Sequence, residues 1–295
     1  VKIITHVVII ASYLLSSVSF CPAERRTVDH FSVLGPATVT AVCDEVLIRI
    51  DGPRAWTMSR IEYKGTILAI EESAYGTVFH LPEVGHIGSA HREVETEDVQ
   101  VLEFFLDGKK ISEPPAEVQG SEFKIFKKSQ IRDLTFESVV RLEKNRIYET
   151  VFLSATKDVP LTYLYNFMHP WIATTTAFLS AKSDGTEIAG DLKDGQEYNR
   201  KFYICQEVEW MAIYDAATGK GAVSRLLEKP PIGGAETRLW NCVGVYRKFY
   251  LRSFESQTVP AHFRGTYRMV TGFFEANKQQ WPEAARKLAR EISEP

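Results

Sequence analysis

The sequence predicts an all-β protein, a large antiparallel two-sheet sandwich with a short C-terminal helix. Three observations predict it. Apolar and polar residues alternate with a period of two in many runs between residues 40 and 274, turn-forming residues separate those runs, and only the end of the chain carries a helical period.

Residues 1–23, VKIITHVVIIASYLLSSVSFCPA, stand apart from this pattern. Lys2 precedes an apolar stretch from Val7 to Leu15 and then small residues, the layout of a secretory signal peptide. The stretch is well short of the roughly 20 residues that span a bilayer. The expectation is a secreted or periplasmic protein, cleaved after Ser19 or Ala23, with no membrane span after cleavage. Residues 24–295 are then one β-sandwich domain.

LTFESVVRLE (134–143) shows the alternation best. Leu134, Phe136, Ser138, Val140 and Leu142 share one face, while Thr135, Glu137, Arg141 and Glu143 share the other. The same pattern runs through VLIRI (46–50), TILAI (66–70), VQVLEFFL (99–106), IYETVFLSA (147–155) and LTYLYNFMH (161–169). It continues in ATTTAFLSA (173–181), KFYICQ (201–206), VEWMAIY (208–214), VGVYRKFYL (243–251) and FRGTYRMVTGFF (263–274). Between them lie DG at 51–52, 107–108 and 184–185, KNR at 144–146 and ATGKG at 217–221, all suited to tight turns. The last segment, QQWPEAARKLAREISEP, predicts a helix over about 282–292, with Pro282 in its first turn and Ala285, Leu288, Ala289 and Ile292 at helical spacing.

Composition narrows the function. With 295 residues, 44% hydrophobic and 25% charged, the chain has enough apolar material for a substantial core. A formal charge of −3 and short basic runs such as FKIFKK give no footprint for nucleic acid. Beyond residue 23 the cysteines are Cys43, Cys205 and Cys242, too few and too far apart for a metal knuckle, and buried free thiols are expected. No GxSxG elbow, GxGxxG turn or P-loop is present, which argues against a serine-hydrolase triad and a nucleotide cofactor.

The densest chemistry lies in GHIGSAHREVETE (85–97). If HREVETE is extended, His91, Glu93, Glu95 and Glu97 project from one face, with neighbours roughly 6.5 to 7 Å apart. An imidazole and a carboxylate at that separation suit acid and base work on a bound sugar. A bend at Gly88 and Ser89 aims His86 at the same point, and the upstream SAYGTVFHLPEVG adds Tyr75 and His80. Two other readings stay open: a wet edge strand carrying ordinary loop histidines, or a divalent cation held by His86, His91 and Glu93. No cofactor is expected unless that cation is bound.

LTYLYNFMHPW (161–171) is the second candidate. Strict alternation places Leu161, Tyr163, Tyr165, Phe167 and His169 on one face, with Asn166 beside them. Trp171, Trp210 and Trp56 are flat surfaces on which a sugar ring stacks. Arg200, Arg247, Arg252, Arg264 and Arg268 offer forks for a carboxylate such as that of a uronic acid.

The order of these pieces resembles a known group. YGTVFHLPEVGHIGSAHREVETEDVQVLEFFLDGK, then YLYNFMHPWIATTTAFLSAKSDG, then VEWMAIYDAATGKGAV together look like the galactose-mutarotase-like super-sandwich proteins, which include aldose epimerases and β domains of some glycosidases and polysaccharide lyases. The resemblance covers roughly residues 30–275 and is one of layout. It implies a sugar site on a concave sheet face. In its epimerase members a histidine is the acid and a glutamate the base, which maps the paired histidines onto His91 and His169, and a late carboxylate onto Glu255 or Glu275. In a lyase-like member His91, Tyr163, Tyr165, Asn166 and His169 would handle the proton. The resulting expectation is an exported carbohydrate-active protein of epimerase, lyase or hydrolase type. Its expected catalytic residues are His91, His169, Glu93, Tyr163 and Tyr165, with His86, Asn166, Trp171 and Trp210 binding the carbohydrate or small-molecule ligand. The alternatives are a non-catalytic glycan-binding module and an envelope scaffold protein.

Overall fold

The computed structural model describes residues 38–71, 76–89, 91–92 and 94–292. The expected signal segment, Tyr75 and Glu93 lie outside the described residues. Two large sheets carry the fold, as the alternation requires. In the first, the strands run in the order Glu117–Gln119, Thr38–Cys43, Val46–Asp51, Thr57–Tyr63, Thr66–Ala69, Tyr163–Ile172, Tyr246–Ser253, Glu236–Cys242 and Phe202–Gln206. A branch of three short strands, Val78–Leu81, Gly85–Gly88 and His91–Arg92, pairs onto Tyr163–Ile172 and completes this twelve-stranded sheet.

The second, ten-stranded sheet has the order Glu187–Asp191, Ala177–Ala181, Trp210–Asp215, Lys220–Glu228, Arg264–Glu275, Arg146–Ala155, Leu134–Glu143, Glu122–Ile131, Asp98–Leu106 and Lys109–Ile111. Pairing is antiparallel throughout except between Thr38–Cys43 and Glu117–Gln119, which are parallel. No helix among the described residues is long and apolar enough to cross a membrane.

The inner faces of the two sheets meet in one continuous core, in which Ile48, Phe79, Phe123, Phe136, Ile147, Trp171 and Phe249 are buried. The helix Trp281–Glu291 begins one residue earlier than expected. Its apolar stripe, Trp281, Ala285 and Ala289 followed by Ile292, packs on Leu179, Tyr214, Val223 and Phe274 of the ten-stranded sheet. That helix therefore covers the outer face of one sheet. The outer face of the other sheet carries the histidine and tyrosine side chains.

One irregularity decides which side chains reach that outer face. In Tyr163–Ile172 the pairing with Tyr246–Ser253 slips between Asn166 and His169, and Phe167 has a positive φ of 56°. This is a β-bulge, which inserts an extra residue and reverses the side-chain parity beyond it. Tyr163, Tyr165 and Met168 pack together with Val78 and Tyr250. Leu164, Phe167 and Trp171 join the core instead. Strict alternation, which put Tyr163, Tyr165, Phe167 and His169 on one face, is corrected by this bulge.

Candidate functional site

His80, His86 and His91 are brought side by side by the three-strand branch. His80 and His86 are direct cross-strand partners with ring centroids 4.3 Å apart, because both project outward at one register position. His91 pairs with Gly88, which has no side chain, so its ring packs diagonally on His86 at 4.8 Å in a near-parallel stack. Gly88 is required here for its own reason. Its φ is +115°, and a Cβ would lie 2.6 Å from the Thr77 carbonyl oxygen.

Each of two histidines meets a tyrosine of the adjacent long strand. His86 Nε2 and the Tyr163 hydroxyl share a hydrogen bond of 2.7 Å, and His91 Nε2 and the Tyr165 hydroxyl share one of 3.2 Å. His80 stacks on Tyr163 at 4.9 Å, and Tyr165 packs on Tyr250 at 5.0 Å. Cations flank the rings: the Arg252 guanidinium lies 4.8 Å from the Tyr163 centroid, and Lys248 Nζ lies 5.2 Å from Tyr165 and 5.5 Å from Tyr250. Beyond Arg252 comes Glu255, whose carboxylate pairs with Arg252 at 2.6 Å and with Arg238 at 3.5 Å.

This environment sets the proton affinities. Burial lowers the pKa of His80, favouring the neutral imidazole. Burial raises the phenol of Tyr163, with Arg252 acting in the opposite sense. Tyr250 is pushed up to about 12, chiefly by burial, then by the neighbouring Tyr163. At neutral pH Tyr163 and Tyr250 thus keep their protons and the half-buried imidazole of His80 stays uncharged. An imidazole can accept a proton and a phenol can donate one, so the cluster holds groups for both functions.

The remaining expected site residues lie elsewhere. His169 is 1% exposed and turned into the core, where its Nε2 donates to Glu149 Oε2 at 2.8 Å across the gap between the sheets. The bulge separates it from His91. Asn166 is buried and accepts from Thr77 Oγ1 at 3.0 Å. Trp171 is a core ring set edge-on to His169, and Trp56 is a core ring set edge-on to Phe104. Trp210 lies in the ten-stranded sheet against the helix-covered cluster. Arg247 is buried in contacts with Asn241, Asp194 and the Thr175 carbonyl. Glu275 pairs with Lys64 at 3.1 Å.

The glutamate face expected for HREVETE is also corrected. Among its described residues only His91–Arg92 is strand, and the chain bends at Val94 before the next strand starts at Asp98. Glu95 pairs with Arg132. Glu97 is 3% exposed and accepts from Ser89 N at 2.8 Å, Ser129 Oγ at 2.6 Å and Lys127 Nζ at 2.6 Å. It anchors the hairpin that presents His91. Among the described residues no group of three or more His, Cys, Asp or Glu side chains is arranged to hold a metal ion. Cys43 and Cys242 are buried as expected, and Cys205 is exposed where burial was expected.

Sequence reasoning missed Tyr250 and Lys248, although YRKFYLRS carries them at period two with Arg252. It missed Glu149 as well: the residue shares the inward parity of Ile147, Val151 and Leu153, but its charge argued for solvent.

The sequence matches no protein-family model and no curated protein. The fold is nevertheless that of the galactose-mutarotase-like sandwiches. It aligns with the GalM/aldose epimerase homologue from C. elegans at 8% identity and a TM-score of 0.50, over 81% of this chain and 99% of that one. It aligns with α-N-acetylgalactosaminidase NagBb from Bifidobacterium bifidum, in complex with GalNAc, at 9% identity and a TM-score of 0.53, over 86% of this chain. The galactosidase domain of an α-galactosidase-sucrose kinase aligns at 6% identity and a TM-score of 0.50, over 82% of this chain. The chain spans 38% of the NagBb chain and 41% of the galactosidase-domain chain.

Proposed function

We propose that this mutarotase-like sandwich binds a carbohydrate on the outer face of its twelve-stranded sheet and moves a proton on it through the two histidine–tyrosine pairs. The observation that carries the reading is the pairing of His86 with Tyr163 and of His91 with Tyr165, with the imidazoles 4.8 Å apart. An imidazole bonded to a phenol forms a short relay: the imidazole takes a proton from a sugar hydroxyl or ring carbon, and the phenol returns one to the oxygen opposite. Lys248 and Arg252, against the same rings, would stabilise negative charge developing on the sugar. Epimerisation and β-elimination both begin with such a proton transfer. The sugar-directed solved structures of this fold, one of them holding GalNAc, support a carbohydrate as the ligand.

Export belongs to the same reading, supported by the apolar run that follows Lys2. Amino-terminal sequencing of the mature protein tests it.

The catalytic test is a panel of mono- and oligosaccharides, neutral and uronate, assayed for anomer interconversion and for unsaturated products absorbing in the near ultraviolet. Turnover by the parent protein should fall by about a hundredfold or more in Tyr165→Phe and His91→Gln, with binding retained. Silence of the folded protein across the panel overturns the catalytic reading.

One observation favours a second reading, a glycan-binding module on the same face. Glu255, a carboxylate beside the cluster, is already engaged by two arginines. Under that reading the panel gives binding without products.

A further inference from the structure

The histidine and tyrosine cluster does not end at Tyr165. Across the next strands an aromatic row continues to the edge of the sheet. Trp240 is paired with Lys248 on one side and with Phe202 on the other. Its ring lies 5.5 Å from Lys248 Nζ and 6.1 Å from the Phe202 ring. Phe202 belongs to the edge strand and is 46% exposed, a large apolar ring that the fold itself leaves uncovered.

Charged donors accompany these rings. The Arg238 guanidinium lies 5.3 Å from the Phe202 centroid, and the whole residue is 8% exposed. Its Nε has no acceptor among the described residues, and neither has that of Arg252. Buried guanidinium donors without acceptors are uncommon, because each such group forgoes its hydration. Both guanidinium groups are ion-paired, Arg238 with Glu236 and Glu255 and Arg252 with Glu255, yet each keeps one N–H unpaired, and rings with flat apolar faces alternating with such donors match the two surfaces of a sugar.

From the strand of Tyr165 to that of Phe202 there are three strand spacings, about 14 Å. A single sugar ring at the histidines leaves Trp240 and Phe202 out of reach. We infer that Trp240, Phe202 and Arg238 form a distal subsite, and that the ligand is an oligosaccharide chain lying across the strands. One end meets the histidine–tyrosine pairs and the other leaves over the edge strand. This rests on the reading of the cluster as a carbohydrate site.

The experiment uses the full chain and an array of purified oligosaccharides, one to six units long, in neutral and uronate forms. Binding is read by calorimetry, and protection of Cys205 from alkylation is read by mass spectrometry. Cys205 is exposed, and its sulfur accepts a hydrogen bond from Arg238, so it reports on the distal subsite whether or not any reaction occurs. Tetramers should bind at least about tenfold more tightly than monomers. They should also slow Cys205 alkylation, which monomers leave unchanged. Phe202→Ala and Trp240→Ala should erase the length advantage while leaving monomer binding in place, and Trp240→Phe should keep part of it.

Monomers and tetramers binding equally, or a length advantage that survives both alanine variants, overturns the distal subsite and leaves the cluster reading standing. A length advantage with Cys205 protection but no turnover keeps the subsite and removes the proton chemistry. Absence of binding by any member of the array to folded protein overturns both.

Discussion

His169 Nε2 and Glu149 Oε2 are 2.8 Å apart inside the sandwich, each on a strand of a different sheet. Both are buried, so the contact ties the sheets together where apolar packing would be the default. Removing one partner leaves the other with its polar group in the core. Glu149→Leu is therefore expected to cost about 3 kcal/mol, and the double variant His169→Leu/Glu149→Leu much less, since two packed apolar groups are often as stable as the pair. Urea unfolding of the single and double variants measures the coupling. Simple additivity would show that the contact contributes nothing. Because His169 faces away from His91, His169→Leu should leave glycan binding unchanged.

Glu97 holds the histidine hairpin to the second sheet. Its carboxylate accepts from Ser89 N, Ser129 Oγ and Lys127, and Lys127 also donates to the Ala55 carbonyl. Glu97→Gln leaves the buried Lys127 without its counter-charge, at an expected cost of about 3 kcal/mol. It also weakens the acceptor of the Ser89 amide, two residues before His91. Hydrogen exchange should speed up at Ser89 while the strand Leu134–Glu143 keeps its protection. Unchanged exchange at Ser89 would mean that the hairpin is held by other contacts.

The two sheets and the terminal helix were legible because burial of one strand face writes a period of two into the chain. Glu122–Ile131 and Arg146–Ala155 follow that rule closely. The clustering of His86 and His91 was legible too, since Gly88 and Ser89 mark the turn between them. The direction of His169 was not. A bulge at Asn166–His169 moves one residue out of register, and no glycine or proline announces it, because the positive φ falls on Phe167. Glu97 was misread for another reason. It lies outside any strand and is charged, and only its neutralisation by Lys127, which falls on the buried parity of Glu122–Ile131, makes its burial tolerable. Tyr250 and Lys248 join the site through pairing between strands far apart in sequence, which period-two alternation does not encode.

Gly88→Ala should be among the more disruptive single-methyl changes in the protein. The added carbon would lie 2.6 Å from a backbone carbonyl that has little freedom to move, at a φ of +115° that side chains rarely adopt. Overpacking of this kind costs about 1–3 kcal/mol. Gly65→Ala is the control, because its φ of +69° imposes strain but no atom lies within 4 Å of the new carbon. Thermal unfolding should show a clear drop for Gly88→Ala and a small one for Gly65→Ala. Equal drops would assign the cost to backbone strain alone.

The partial burial of His80 makes stability depend on pH in a defined direction. Its folded pKa lies below the ordinary value of 6.5, mainly through desolvation, with a hydrogen bond to its own backbone acting the other way. The unfolded chain therefore takes up this proton first as pH falls. The contribution of a neutral, half-buried His80 is fully present above the unfolded pKa. It is lost as pH drops through 6.5 toward the folded value, below which there is no further change. His80→Gln removes the titration while keeping a polar side chain of similar reach. Urea midpoints at pH 8 and pH 5 should fall further in the parent protein than in the variant. An equal fall in both would show that the acid sensitivity resides in other groups and that His80 protonates as readily in the fold as outside it.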